Sequence, residues 1–145
     1  MFLFILSYIV LSDLIGIYLT KKFTHDDYSQ NARWFFIHFS TNALTVYYTY
    51  DYFIECFTND CTLYSWDYNS YLTFWLNIIV HFYHFLFFKL RFTDIIHHFL
   101  MCVVCGFFTW YNKSVLSTAG LFFLSGFPGL IDYFMLWLVK IDMLN

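Results

Sequence analysis

The sequence predicts an all-α membrane protein, a bundle of about five transmembrane helices around a polar cavity that faces the cytosol. Apolar residues make up 61% of the 145 positions and charged residues only 12%, about half the charged share of a soluble domain. Long apolar runs without the alternating polarity of barrel strands indicate helices that span a bilayer. The net charge of −3, without a basic stripe, gives no reason to expect a nucleic-acid partner.

Five apolar segments divide the chain, which is short enough for a single domain, residues 1–145. They cover about 1–20, 34–57, 71–88, 94–111 and 115–139. Lys21 and Lys22 close the first segment, and Lys89 and Arg91 form a tight turn between the third and the fourth. The fifth contains Gly126–Gly129 with a proline, which predicts a kink because proline removes a backbone donor.

Basic residues are distributed unevenly between the two ends of these predicted helices. One end carries only Lys113. The other end carries six basic residues, which are Lys21, Lys22, Arg33, Lys89, Arg91 and Lys140. Because short cytosolic loops are enriched in lysine and arginine, the N-terminus is predicted to be lumenal or outside and the C-terminus cytosolic.

Polar side chains collect near the basic end of four of these segments. At a rise of about 1.5 Å per residue, the ionisable ones lie within roughly 12 Å of that end. They are His38, His81, His84, Asp94, His97, His98 and Asp132. Helical spacing aligns His38 with Thr41, Asn42, Thr45 and Thr49, and Asn77 with His81 and His84. Since lipid cannot satisfy such groups, we expect them to face the interior of the bundle.

Two interpretations of this set differ in what the imidazoles do. As interhelical hydrogen bonds, such groups stabilise a membrane bundle by about 0.6 kcal/mol each. As a site for chemistry, they would exchange protons near neutral pH. In the second case Asp94, three and four residues before His97 and His98, is placed to orient one of the rings.

The segment KLRFTDIIHHFLM, Lys89–Met101, resembles the histidine-pair segment of TLC-domain membrane proteins, the family that includes the ceramide synthases. The likeness rests on a basic turn followed by Asp94 and by the pair His97 and His98, which opens a helix. A looser likeness covers Asp132–Lys140, which is similar to the closing acidic helix of the ceramide synthase motif.

This resemblance implies lipid handling in an endoplasmic-reticulum-like membrane. In an enzyme it implies sphingolipid-type acyl transfer to a long-chain amine, with acyl-CoA as co-substrate. His97 or His98 would deprotonate the amine, and Asp94 would orient that ring. The expected substrate pocket consists of His38, Asn42, Asn77, His81, His84 and Asp132.

Other functions stay open from the sequence alone. A non-catalytic lipid-binding or membrane-organising protein would use the same cavity, with membrane lipids and a homo- or hetero-oligomer as partners. The leading interpretation assigns no metal, but a metal-dependent membrane enzyme would bind zinc or iron through His81, His84, His97 and His98.

The cysteines follow the predicted topology. Cys56 and Cys61 lie at or beside the predicted lumenal loop, where an oxidising compartment permits a disulfide. Cys102 and Cys105 lie within the fourth segment and are expected to stay reduced.

Orientation can be tested by labelling from one side of a sealed vesicle. We predict that cysteines substituted within Lys21–Arg33 and within Tyr64–Tyr68 react with a membrane-impermeant maleimide from opposite faces. The cytosolic face should label the first group, because it is flanked by most of the basic residues. Labelling of both groups from the same face would contradict the topology.

Overall fold

The structure is a computed structural model that describes residues 1–23, 30–58 and 66–144. Within these ranges the chain forms five helices and no strand, which confirms the predicted all-α bundle. The helices are α1 (Phe2–Phe23), α2 (Gln30–Thr58), α3 (Tyr68–Phe87), α4 (Phe92–Asn112) and α5 (Val115–Lys140). The largest difference from the predicted bounds is at α2, which begins before Arg33 rather than after it.

Three of the helices, α1, α4 and α5, are long and apolar enough to cross a membrane, consistent with an integral membrane protein. The other two, α2 and α3, have 29 and 20 residues and therefore sufficient length. Their composition is less apolar because both carry polar side chains on faces that are buried in the bundle. That α2 and α3 also span the membrane remains a prediction.

The central helix is α2, since α1, α3 and α5 all pack against it. Ile37 of α2 lies in one apolar cluster with Ile9 of α1 and Leu76 of α3. Nearer the start of α2, Ala32 lies in a second cluster with Trp137 of α5. These contacts bring the start of α2 and the end of α5 to one end of the bundle. We call it the basic end, because all six basic residues of the predicted cytosolic side belong to it.

The helix starts are set by capping side chains at the opposite end. The Asp67 carboxylate accepts a hydrogen bond from the Ser70 backbone N–H at 3.0 Å and so caps α3. The Tyr52 hydroxyl at the end of α2 donates to the same carboxylate. Ser114 caps α5 in the same way, accepting from the Ser117 N–H at 3.2 Å.

Both α4 and α5 contain a π-helical segment, at Leu100–Cys105 and at Phe122–Gly126 respectively. The second segment ends two residues before Pro128, so the helix type changes next to the position where a kink was predicted, and the kink itself stays a prediction. Turns of π-helix are rare and often lie at functional sites. The space between α4 and α5 is therefore a candidate position for a functional site.

A buried ion pair joins α1 to α2. The Arg33 Nε–H donates to Asp13 Oδ1 at 2.7 Å, and an Nη2 hydrogen goes to Oδ2. From α3, the Tyr83 hydroxyl also donates to Asp13 at 2.7 Å, and the Phe88 ring lies 4.7 Å from the guanidinium carbon. Asp13 therefore faces the interior of the bundle. Arg33, which the predicted bounds of 34–57 left outside the second helix, lies within α2 and pairs with Asp13 across the helix interface.

Two sequence predictions concern the cysteines and the loop after α2. Cys61 and Tyr64 lie outside the described residues, and with them the expected disulfide between Cys56 and Cys61. Cys102 and Cys105 are free thiols, as predicted.

The Asp13–Arg33 pair generates a stability prediction. Asp13→Leu should lower the free energy of unfolding by about 3 kcal/mol, the lower end of the range for a broken buried pair, because Arg33 loses this carboxylate but is itself only partly buried. The double variant Asp13→Leu/Arg33→Leu should recover most of this loss, since an apolar pair of similar volume replaces both charges. Unfolding titrations in detergent micelles measure both. Equal destabilisation of the single and double variants would contradict this account.

Candidate functional site

A cavity of about 510 Å³ opens at the basic end between α2, α4 and α5. Its volume is within the usual range for small-molecule sites, about 300–1,000 Å³. The lining combines charged, aromatic and imidazole side chains and consists of Asn31, Trp34, Phe35, Lys89, Leu90, Arg91, Asp94, His97 and Tyr133. We call this space the outer cavity.

A second cavity, of about 60 Å³, begins where the outer cavity meets His97 and Tyr133, because both residues line both spaces. Most of its lining side chains are polar. They are His38, Asn42, Asn77, His81, His97, Ser125 and Tyr133, accompanied by Val80, Met101, Leu124 and Gly129. The volume matches about two waters at their share of the liquid, so a small polar group fits here. We call this space the polar chamber.

A third cavity, of about 20 Å³, continues the polar chamber and shares Asn77, His81, Met101 and Leu124 with it. Apart from these, its lining is mainly apolar and includes Phe74, Ile78, Cys105 and Leu121. We call it the apolar cleft. Phe74 and Leu121 also pack with Trp66 in an apolar cluster, which lies between the cleft and the opposite end of the bundle. Polarity therefore falls steadily from the basic end inward.

The histidines of α2, α3 and α4 converge around these spaces, as predicted from their common depth. The ring centroids of His38 and His84 are 4.4 Å apart, and those of His81 and His98 are 5.0 Å apart. His97 approaches His81 with a centroid distance of 5.6 Å. All of these rings except that of His97 are buried.

Two aromatic rings stack on imidazoles of this cluster. Trp34 lies on His84 with a centroid distance of 3.9 Å, and Tyr133 lies on His38 at 4.4 Å. Both aromatic rings also line the outer cavity. The stacked pairs fix the planes of two buried imidazoles and form part of the wall between the cluster and the cavity.

Several nitrogens of the cluster have no hydrogen-bond partner within the part of the chain that the structure describes. They are Nε2 of His38 and both nitrogens of His84 and of His98. A buried polar atom without a partner costs about 1–3 kcal/mol. Interhelical hydrogen bonding as the only role of these histidines would pair such atoms across the helices. Their unpaired state therefore favours the interpretation as a functional site.

His81 is the imidazole with a defined tautomer. Its Nδ1 lies 2.6 Å from the Asn77 carbonyl oxygen, which can only accept a hydrogen bond. In the neutral ring Nδ1 therefore carries the hydrogen and Nε2 carries the lone pair. Because His81 lines the polar chamber, that lone pair is available there as a proton acceptor.

Asp94 does not take the orienting role that was predicted for it. Its carboxylate accepts from the Arg91 backbone N–H at 2.9 Å and from the Arg91 guanidinium at 3.3 and 3.4 Å. The reason is local, since the first N–H groups of α4 need acceptors and Asp94 is at the capping position. His97 is exposed at the outer cavity and His98 is buried behind it. The Asn77 carbonyl orients an imidazole instead, and that imidazole is His81.

Asp132 also differs from its predicted place in the pocket. It is exposed on the outer face of α5, whereas its neighbour Tyr133 lines both the outer cavity and the polar chamber. Gly129 and Tyr133, one turn apart, form the face of α5 that meets α2 and thereby turn Asp132 outward. The predicted pocket lacked Tyr133, because a tyrosine is less polar than the imidazoles, amides and carboxylates from which that pocket was predicted. Tyr133 lies four residues after Gly129, and this helical spacing would have predicted that the two residues share one face of α5.

The metal alternative finds no support in this arrangement. Among the described residues, no group of three or more histidine, cysteine, aspartate or glutamate side chains has the geometry to hold a metal ion. The imidazole rings of these four histidines, His81, His84, His97 and His98, pack against one another. Two of them, His81 and His97, line the polar chamber.

Comparison of the chain with models of protein families, with curated proteins and with solved structures found no match. The resemblance of Lys89–Met101 to TLC-domain proteins therefore stays a prediction. Fold and site together define the class as a helical membrane bundle with a histidine-lined cavity that opens at its basic end.

The close approach of α5 to α2 at the polar chamber can be tested with two glycines. A Cβ atom at Gly129 would lie 2.5 Å from Asn42 Nδ2, whereas one at Gly120 would meet no atom within 4 Å. Gly129→Ala should therefore displace the Asn42 amide and destabilise the protein by about 1 kcal/mol, the lower end of the overpacking range, because the clashing atom is the end of a side chain. The matched control Gly120→Ala should be neutral or stabilising by up to about 1 kcal/mol. Equal unfolding midpoints for the two variants would contradict the packing.

Proposed function

We propose that the protein binds a membrane amphiphile in this cavity and transfers an acyl group to its polar end. The acyl donor is acyl-CoA and the acceptor a long-chain amine, as the resemblance to TLC-domain proteins implies. One observation carries the proposal: polarity falls from a charged mouth, past imidazoles, to an apolar cleft, in the order of polarity of an amphiphile. The cleft of about 20 Å³ holds only the start of the chain, and the rest of the chain would extend into the lipid past Leu124, which is exposed.

The mouth of the outer cavity suits an anionic group. Lys89 and Arg91 lie in its lining, and Asp94 is the one carboxylate among the lining residues that the structure describes. The guanidinium fork of arginine and the ammonium of lysine both bind phosphate oxygens well. The phosphates of acyl-CoA would therefore remain at the basic end while the thioester reaches the histidines.

His81 is the candidate base for the transfer. Its Nε2 would remove a proton from the amine nitrogen as that nitrogen attacks the thioester carbon. The C–N bond forms, the C–S bond breaks, and the proton held on His81 passes to the departing thiolate. The products are an amide and free CoA thiol. His97, at the boundary of the outer cavity and the polar chamber, is the second imidazole within reach of the reacting groups.

Lipid binding without chemistry is the second candidate function. The bonding of Asp94 to Arg91 favours it, because triad-type bases use a carboxylate to orient the imidazole and to stabilise its charged form. In such a protein the same cavity would hold the amphiphile, and the histidines would bind its polar end.

An amide-forming assay in lipid nanodiscs separates the two candidates. We expect the native protein to join an acyl-CoA to a long-chain amine. We expect the double variant His81→Ala/His97→Ala to lose at least about 100-fold in rate, because a positioned acid–base group contributes about 10²–10⁴-fold. Thr49→Val is the matched control, since Thr49 is buried on the same face of α2 and, within the described part of the chain, its hydroxyl bonds only to the Thr45 carbonyl.

Saturable binding of the amine without amide formation would favour the lipid-binding protein. Neither binding nor amide formation by the native protein would contradict both candidates.

A further inference from the structure

We infer that the polar chamber recognises a neutral hydrogen-bond donor, an O–H or an N–H, at the polar end of the bound amphiphile. The two acceptor atoms that would recognise it are His81 Nε2 and Asn77 Oδ1. This inference rests on the proposed function and specifies which polar end the site accepts.

Three hydrogen bonds fix the orientation of the Asn77 side chain. Its Nδ2 donates to the Thr73 carbonyl oxygen at 2.9 Å and to Thr45 Oγ1 at 3.3 Å. A carbonyl only accepts, and the Thr45 hydroxyl gives its own hydrogen to the Thr41 carbonyl at 3.0 Å. Exchange of the amide nitrogen and oxygen would place two acceptors against each other at both contacts. Oδ1 is therefore on the other side of the amide, where the described part of the chain supplies no donor.

The same helix turn also orients His81. The Asn77 backbone carbonyl accepts the Nδ1 hydrogen of His81, and this leaves the Nε2 lone pair for the chamber. Asn77 and His81 are four residues apart, so their side chains lie on one face of α3. Both line the chamber of about 60 Å³. Two acceptors that are oriented by bonds on their far sides favour a ligand group that carries hydrogen.

The charge of the surroundings favours a neutral donor over a cation. Among the described residues that line the polar chamber, none is a carboxylate. The adjoining outer cavity does contain a carboxylate, that of Asp94, but this group is already paired with Arg91. A buried ammonium or quaternary ammonium group without a carboxylate costs more than hydrogen bonds to neutral acceptors return.

Three probes with the same twelve-carbon chain test this inference on the native protein in nanodiscs. They are dodecanol, which donates one hydrogen bond, dodecyl methyl ether, which donates none, and dodecyltrimethylammonium, which is a cation without a donor. Cys105 lines the apolar cleft and reports occupancy through protection from N-ethylmaleimide, measured by mass spectrometry of its peptide. Probe concentrations are compared at equal mole fraction in the membrane.

Dodecanol should protect Cys105 at a mole fraction about tenfold lower than the ether, the effect of one hydrogen bond to a group that is otherwise unpaired. The double variant His81→Ala/Asn77→Leu should reduce this difference to within about threefold, because it removes both acceptors, whereas either single variant leaves one acceptor for the single O–H. Thr49→Val should keep the full difference.

Equal protection by dodecanol and the ether in the native protein would overturn the inference and leave amphiphile binding intact. Stronger protection by dodecyltrimethylammonium than by dodecanol would overturn the choice of a neutral donor. Protection by none of the three probes would contradict the proposed function as well. The comparison of probes needs no variant, so a variant that fails to fold cannot obscure it.

Discussion

A bilayer cannot hydrogen-bond the polar face of α2, and the arrangement of the other helices follows from this constraint. His38, Thr41, Asn42, Thr45 and Thr49 are all at most 4% exposed, so every one of them is covered by α1, α3 or α5. The threonine hydroxyls need no partner from another helix, because each donates a hydrogen bond to a backbone carbonyl one turn earlier at 2.7–3.0 Å. His38 and Asn42 have no such local partner. They are also the two members of the face that line the polar chamber.

This division within one helix face explains why the outer cavity and the polar chamber lie in the basic half of the bundle. Where α2 presents threonines, the neighbouring helices pack closely and need no cavity. Where it presents an imidazole and an amide, partners must come from α3 and α5. Gly129 permits the approach of α5, and the ion pair of Asp13 and Arg33 joins α1 to α2 close by. The site is thus held by α1, α2, α3 and α5, and α4 closes it from the periphery.

The sequence predicted what depends on periodicity and depth. The five helices, the buried face of α2 and the convergence of the histidines follow from spacing along the chain alone. It did not predict the partner of Asp94, because a capping carboxylate and an orienting carboxylate can occupy the same position relative to a histidine pair. The outward direction of Asp132 depends on how α5 is rotated about its axis, which the contact at Gly129 decides. The pairing of Asp13 with Arg33 is a contact between helices, and no spacing within one helix encodes it.

The π-helical segment of α4 lies directly after the histidine pair and has a consequence for how the chain tolerates insertions and deletions. Each residue advances a helix by about 100°, and a π turn holds one residue more than an α turn. Loss of one residue within Leu100–Cys105 would convert the π turn into an α turn, and His98 would still face His81 and His84 because the flanking segments keep their orientation. In a regular α-helix the same loss would rotate the preceding residues by about 100°. The π-helical segment therefore lets α4 lose one residue here without turning its imidazoles out of the site.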